Sequence, residues 1–155
     1  VCTAGPMYLG GGSMSKPTHV LVGTDFSEGA EVALEVAFEQ AKAFGARVTI
    51  VHAYPAALDL VDPKGIAKER MEIGTEVHRL LAGLKDRYNG QVEALHTEVI
   101  PSESPVDALC QYATGHDVDL IVVGAQGHTG LAPFLVGSTA ERVARHAPCS
   151  VLLAR

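Results

Sequence analysis

Val118-Asp119-Leu120-Ile121-Val122-Val123-Gly124-Ala125-Gln126-Gly127-His128-Thr129-Gly130 is the stretch on which the fold turns. Val118 to Val123 is a short, mostly apolar run that reads as the fourth strand, with Leu120 to Val123 as its buried stretch. Glycines follow at once, and the segment continues through Leu131 to Val136 into Gly137-Ser138-Thr139-Ala140-Glu141. Ser138 to His146 then reads as a helix, and Ser150 to Ala154 as a last strand.

Upstream the same alternation repeats. His19 to Gly23 reads as a buried strand, and Ser27 as the N-cap of a helix. Ala30, Ala33, Leu34, Ala37, Ala41 and Phe44 fall at helical spacing, with Gly45 as a C-cap signal. Arg47 to Ala53 is β-branched and reads as the second strand. Pro55 to Pro63 is a loop, and Asp62-Pro63 gives an N-cap followed by proline at the first helical position. Ile66, Ile73, Val77, Leu80, Leu81, Leu84 and Tyr88 mark one face of a long helix that stops near Asn89-Gly90. Gln91 to Ile100 reads as the third strand. Ser104-Pro105 opens a third helix, with Asp107 as a capping-box acid and Val106, Leu109, Cys110 and Ala113 on its apolar side.

Five strands therefore alternate with four helices. Continuous apolar strands joined by helical crossovers predict a single doubly wound α/β domain, Rossmann-like or flavodoxin-like. Its five-stranded parallel sheet should carry helices on both faces. A length of 155 residues fits one domain with a real core. Residues 1–13, with Gly10-Gly11-Gly12-Ser13, read as a flexible leader or cloning remnant, and residues 14–155 as the domain. No signal-peptide pattern is present, which gives a cytoplasmic expectation.

Composition narrows the partners. A formal net charge of −6 argues against nucleic acid, because binding a phosphate backbone needs a basic surface. A single nucleotide stays open, since backbone N–H groups can hold phosphate locally. No apolar run approaches the ~20 residues of a membrane helix. Cys2, Cys110 and Cys149 fit neither a zinc site nor a redox pair and read as reduced thiols; Cys110 belongs to helix packing. The seven histidines form no HxxxH or HExxH pair.

In open α/β sheets, ligands bind beyond the carboxyl ends of strands where the winding reverses. Two strand ends stand out: Gly23-Thr24-Asp25-Phe26-Ser27 and Gly124 to Gly130. Gly124 is followed after two residues by Gly127, and after nine more by Gly137-Ser138. Glycine lets backbone approach a phosphate, and the start of the last helix offers N–H groups, a favourable dipole and two hydroxyls, Ser138 and Thr139. A plainer reading competes with this one. Ser138 and Glu141 form an S-x-x-E capping box, Gly124 serves as a turn, Asp25 helps cap the first helix, and His128 is a solvated loop residue. His52, at the end of the second strand, reads as a core or interface histidine. A Walker loop is absent, with no lysine in the loop, and no G-x-G-x-x-G follows the first strand.

The spacing Gly124-x2-Gly127-x9-Gly137-Ser138 resembles the ATP-binding pattern G-x2-G-x9-G-[ST] of the universal stress protein family. Thr24-Asp25-Phe26-Ser27, His52-Ala53 and the ending Ala140-Glu141-Arg142-Val143-Ala144-Arg145-His146-Ala147-Pro148-Cys149-Ser150-Val151-Leu152-Leu153 are also similar to that family. The likeness runs from His19 to Ala154. It implies an ATP site in which Asp25 meets the adenine or ribose end and Ala53 meets adenine through its backbone. Gly124, Gly127, His128, Thr129 and Gly130 would surround ribose and phosphates, and Gly137, Ser138 and Thr139 would hold phosphates. Thr24 and Gln126 are counted with the site although they depart from the family, which often has a small apolar residue or proline, and serine, at those places. With no loop lysine, Mg²⁺ or Mn²⁺ is expected to arrive on the triphosphate, without a protein-only metal site.

The implied role is a regulatory nucleotide binder in the stress response, with slow or no hydrolysis. A weak ATPase and an adaptor without nucleotide are the alternatives. An ATP-pyrophosphatase needs a Ser-Gly-Gly-x-Asp-Ser loop after the first strand, where this chain has Gly23-Thr24-Asp25-Phe26-Ser27. The resemblance also implies a homodimer through Ser150 to Ala154, a strand that would expose unpaired backbone at a sheet edge.

Overall fold

The computed structural model describes residues 16–54, 65–126 and 136–155. Residues 1–13, the Asp62-Pro63 cap and the loop positions Gly127, His128, Thr129 and Gly130 lie outside them. In chain order the elements are β1 (His19–Gly23), α1 (Glu28–Phe44), β2 (Arg47–Tyr54), α2 (Gly65–Tyr88), β3 (Leu95–Pro101), α3 (Pro105–Gly115), β4 (Leu120–Gly124), α4 (Ser138–His146) and β5 (Ser150–Ala154). All pairings are parallel, in the order β3-β2-β1-β4-β5. Of the two windings left open by the sequence, this order has the Rossmann pattern, with β1 central and the direction of winding reversing between β1 and β4.

Side-chain alternation along the strands feeds two cores. Val20, Val22, Val48, Ile50 and Val122 pack with Leu34 and Phe38 of α1 and with Leu81, Leu84 and Tyr88 of α2. Leu21, Val51, Ile121 and Val123 pack on the other face, with Leu109 and Cys110 of α3 and Val143 of α4. Each fully buried aliphatic or aromatic side chain contributes about 1.5–3 kcal/mol by leaving water.

The helix α1 lies close to the sheet because Ala30, Ala33, Ala37 and Ala41 form its buried side. The Ser27 hydroxyl caps it by accepting from the Ala30 N–H at 3.3 Å. Gly45, at φ 69°, closes it with an N–H donated to the Ala41 carbonyl. That left-handed turn favours glycine. Phe44 departs from expectation: it is 40% exposed. Phe38 stacks on Tyr88 with ring centroids 3.9 Å apart, joining α1 to α2.

Several strand boundaries differ from the sequence reading. The strand β3 begins at Leu95 instead of Gln91. Gly90 turns at φ 75°, and the Gln91 N–H still bonds the Tyr88 carbonyl. The strand β4 starts at Leu120 instead of Val118, after Asp117 at φ 51°. The strand β2 runs one residue further, to Tyr54, which pairs with Pro101.

The amino ends of the central strands are closed by polar side chains of the chain itself. Asp119 accepts from the Thr18 N–H at 2.7 Å, the Thr18 hydroxyl at 2.8 Å and the His19 N–H at 3.0 Å. His19 is only 3% exposed. Its Nδ1 lies 2.9 Å from the His116 carbonyl and its Nε2 2.9 Å from the Thr49 hydroxyl. The Arg47 guanidinium sits 3.1 Å from Nδ1.

Candidate functional site

The helices α1 and α4, which follow β1 and β4, pack in the two opposite cores, and a crevice lies between the carboxyl ends of these strands. A cleft of about 290 Å³ occupies that position. From β1 and its loop it is lined by Gly23, Thr24 and Asp25, and from β4 and its loop by Val123, Gly124 and Gln126. Val51 and Ala53 of β2 form its back. Pro105 and Leu109 of α3 and Gly137, Ser138, Thr139 and Ala140 at the start of α4 complete it. Its size is at the small end of the range typical of small-molecule sites.

Eight of the twelve residues singled out by sequence thus meet at one place: Thr24, Asp25, Ala53, Gly124, Gln126, Gly137, Ser138 and Thr139. The other four, Gly127, His128, Thr129 and Gly130, fall outside the described residues. The ends of that intervening segment are pinned together. The Ala125 N–H bonds the Ala154 carbonyl, and the Gly137 N–H bonds the Ala125 carbonyl, each at 2.7 Å.

The start of α4 differs from the capping-box reading. Gly137 is the N-cap, and among the described residues no side chain caps the helix. Ser138 therefore occupies the first helical position, one residue too late to cap. The Glu141 carboxylate instead pairs with Arg145 at 2.8 Å. Both α4 hydroxyls line the cleft. This helix terminus presents the positive end of its dipole to the cleft and suits an anion.

Thr24 is buried and held at three atoms. Its N–H donates to the Val51 carbonyl at 2.9 Å, and its hydroxyl accepts from the Phe26 N–H at 3.0 Å. Its carbonyl accepts from His52 Nδ1 at 2.9 Å. Asp25 follows directly. Its Oδ1 accepts from both the Ser27 N–H and the Ser27 hydroxyl, so the capping role expected for it is present and coexists with its place in the cleft. Asp25 is the only charged side chain among the described cleft residues.

Gly124 has a packing reason that its position in a glycine-rich loop hides. A methyl group there would overlap the Gly29 carbonyl, and one on Gly29 would overlap the Gln126 carbonyl. The first turn of α1 and the end of β4 cross backbone against backbone, and this crossing fixes the cleft wall. Sequence reasoning missed Gly29. Its signal is a glycine two residues after the Ser27 cap, where helix propensity gives no reason for one.

A parallel sheet of this order, with a cleft at its winding reversal and a helix start facing it, defines a Rossmann-type doubly wound α/β architecture. The universal stress protein family model matches residues 17–155, and the chain belongs to that family. A universal stress protein of Thermus aquaticus is 33% identical over 146 residues, covering 88% of this chain and 97% of that relative. Several mycobacterial relatives are longer, and the match to them spans 44% to 46% of their length. The universal stress protein UspA of Lactobacillus plantarum superposes with a TM-score of 0.77 at 26% identity, covering 91% of this chain and 99% of that one. A universal stress protein solved in complex with cAMP superposes with a TM-score of 0.68 at 28% identity, over 91% and 98% of the two chains.

Proposed function

We propose that the chain is an ATP-binding universal stress protein, a regulatory nucleotide binder with slow or no hydrolysis. The observation that carries this reading is the convergence of Asp25, Ala53, Gly124, Gln126, Gly137, Ser138 and Thr139 on one cleft at the winding reversal. Backbone from β2 would meet adenine, Asp25 the ribose or base, and the α4 start with its hydroxyls the phosphates. The cleft residues described include no cation, so Mg²⁺ or Mn²⁺ would be held through the phosphate oxygens. Asp25 is the one carboxylate among the described cleft residues. The bound ion would supply charge neutralisation. The chain's own part is to orient the nucleotide through N–H groups and hydroxyls.

Calorimetry on protein freed of carried-over ligand tests this. ATP with Mg²⁺ or Mn²⁺ should bind, and turnover should stay well below the ~1 per second of ordinary enzymes. Mass spectrometry of ligand released from freshly purified protein should find adenine nucleotide. The relative solved with cAMP favours a second adenine ligand for the same cleft. Heat with cAMP and none with ATP would replace the first reading by that one. No heat with either would leave the adaptor role.

We also propose a homodimer through β5 in the cytoplasm. The strand β5 is an edge of the sheet with partly exposed Val151, Leu152 and Leu153, whereas the opposite edge, β3, carries the exposed polar residues His96 and Glu98. Unprotected edges invite pairing. A monomer at micromolar concentration in sedimentation would refute the dimer. Among the described residues, no helix is long and apolar enough to cross a membrane.

A further inference from the structure

We propose that His52 is a positioning residue for the nucleotide cleft, acting through the carbonyl of Thr24 without touching the ligand. Strand alternation supports the second half of this statement. Val51 and Ala53 line the cleft, and His52 between them points to the opposite face of the sheet. There its ring lies against Phe26, with centroids 4.8 Å apart and planes inclined by 34°.

The segment that needs positioning is Thr24 to Ser27. Phe26 has φ 61°, a left-handed conformation that a bulky L-residue adopts only when its surroundings impose it. Two contacts bear on it directly. The Phe26 N–H donates to the Thr24 hydroxyl, and its ring packs on His52. Thr24 is in turn anchored by the Val51 carbonyl on one side and by His52 Nδ1 on the other. Among the described residues, the bond from His52 is the one side-chain anchor on the Thr24 carbonyl, which belongs to the peptide leading into Asp25. Releasing it lets that peptide rotate, and the Asp25 carboxylate leaves its place at the mouth of the cleft.

A carbonyl can only accept, so Nδ1 carries the proton. The contact therefore needs a donor at that atom and does not need a charge. An asparagine amide nitrogen lies the same number of bonds from the backbone as Nδ1 and can replace it. Phenylalanine keeps a ring against Phe26 and removes the donor. The two substitutions separate the hydrogen bond from the ring contact.

The proposal rests on the ATP reading for its functional meaning, and its test has one arm that does not. In ligand-free protein, amide hydrogen exchange at Phe26 is measured for wild type, His52→Phe and His52→Asn. In parallel, MgATP affinity is measured by calorimetry. Loss of one buried hydrogen bond corresponds to about a tenfold change. His52→Phe should exchange about tenfold faster at Phe26 and bind MgATP about tenfold more weakly, with His52→Asn within about threefold of wild type in both. Equal behaviour of His52→Phe and wild type in exchange overturns the proposal, as does an equal loss in His52→Phe and His52→Asn. Wild type that binds no MgATP overturns the ATP reading alone, and the exchange arm then still decides whether His52 holds the loop.

Discussion

The two ends of the central strands are built from similar residue types and arranged to opposite effect. At the amino end, Asp119 accepts from three donors at the start of β1, and His19 is enclosed between the Thr49 hydroxyl and the His116 carbonyl. Polar atoms there are matched within the chain, and the end is closed. At the carboxyl end, Thr24 is matched in the same way, yet the helix start at Gly137 has no side-chain cap among the described residues and faces a cleft. The difference lies in whether the polar groups at each end are matched by side chains of the chain itself. A closed end gives stability, and an end with an uncapped helix start gives a place for an anion.

The largest expected effect comes from the wall that keeps the open end open. Gly29→Ala places a methyl group on the Gln126 carbonyl. Such overpacking against backbone should cost roughly 2–3 kcal/mol and lower the urea midpoint accordingly. Gly74→Ala is the control: it lies inside α2 with nothing within 4 Å of the added methyl. It should raise stability by roughly 0.5–1 kcal/mol, the helix penalty of glycine. Equal midpoints for the two variants would mean that the crossing of α1 over β4 does not constrain the wall.

Next comes the closed end. Asp119→Ala removes the acceptor of three hydrogen bonds. Thr18 is exposed enough for water to replace part of the loss, so the expected cost is about 1–2 kcal/mol in urea unfolding. MgATP affinity should stay within about twofold, because the residue is at the other end of the sheet. A large loss of affinity with unchanged stability would reverse the assignment of the two ends.

Most of the fold was legible because each element has its own local signal. Ser27 and Gly45 bracket α1, Ser104-Pro105 opens α3, and short apolar runs mark β1, β2 and β5. What escaped depends on contacts between distant segments or on the position of a single residue. The apolar and polar alternation of Gln91 to Ala94 looks like strand, but the left-handed turn at Gly90 and the Gln91 bond back to Tyr88 delay pairing until Leu95. Ser138 and Glu141 have the spacing of a capping box, and the helix begins one residue earlier than that pattern needs. Gly124 was legible as a glycine of a motif, while its reason was not, because Gly29 comes from another helix. Strand period alone puts His52 on the face opposite Ala53, but its bond to Thr24 depends on the turn after β1.

A smaller effect separates binding from stability at the open end. Ser138→Ala removes a hydroxyl that lines the cleft and caps nothing. Stability should stay within about 0.5 kcal/mol of wild type. Under the proposed function, MgATP should bind about fivefold more weakly, the loss of one exposed hydrogen-bond donor. A destabilised variant would restore the capping role that the helix start lacks.

The smallest effect is a pH dependence confined to the closed end. Burial lowers the pKa of His19 from its ordinary 6.5; the His116 carbonyl opposes that shift, the Arg47 guanidinium adds to it, and Asp119 opposes it. For Asp119, burial acts upward, and the bonds from Thr18 and His19 outweigh it and leave its pKa below the usual 3.8. A histidine with a lowered folded pKa binds fewer protons folded than unfolded. Its contribution is complete above pH 6.5 and is lost as pH falls below that value through the folded pKa. Asp119 keeps its charge over that interval, since its own loss begins only below pH 3.8. Wild type should therefore be less stable to urea at pH 5.5 than at pH 7.5. His19→Gln, which keeps a polar side chain and cannot be protonated, should show a smaller drop. The difference between the two drops isolates the contribution of His19. An identical drop would mean that His19 meets the same proton affinity folded and unfolded, and that the amino end is less closed than its hydrogen bonds indicate.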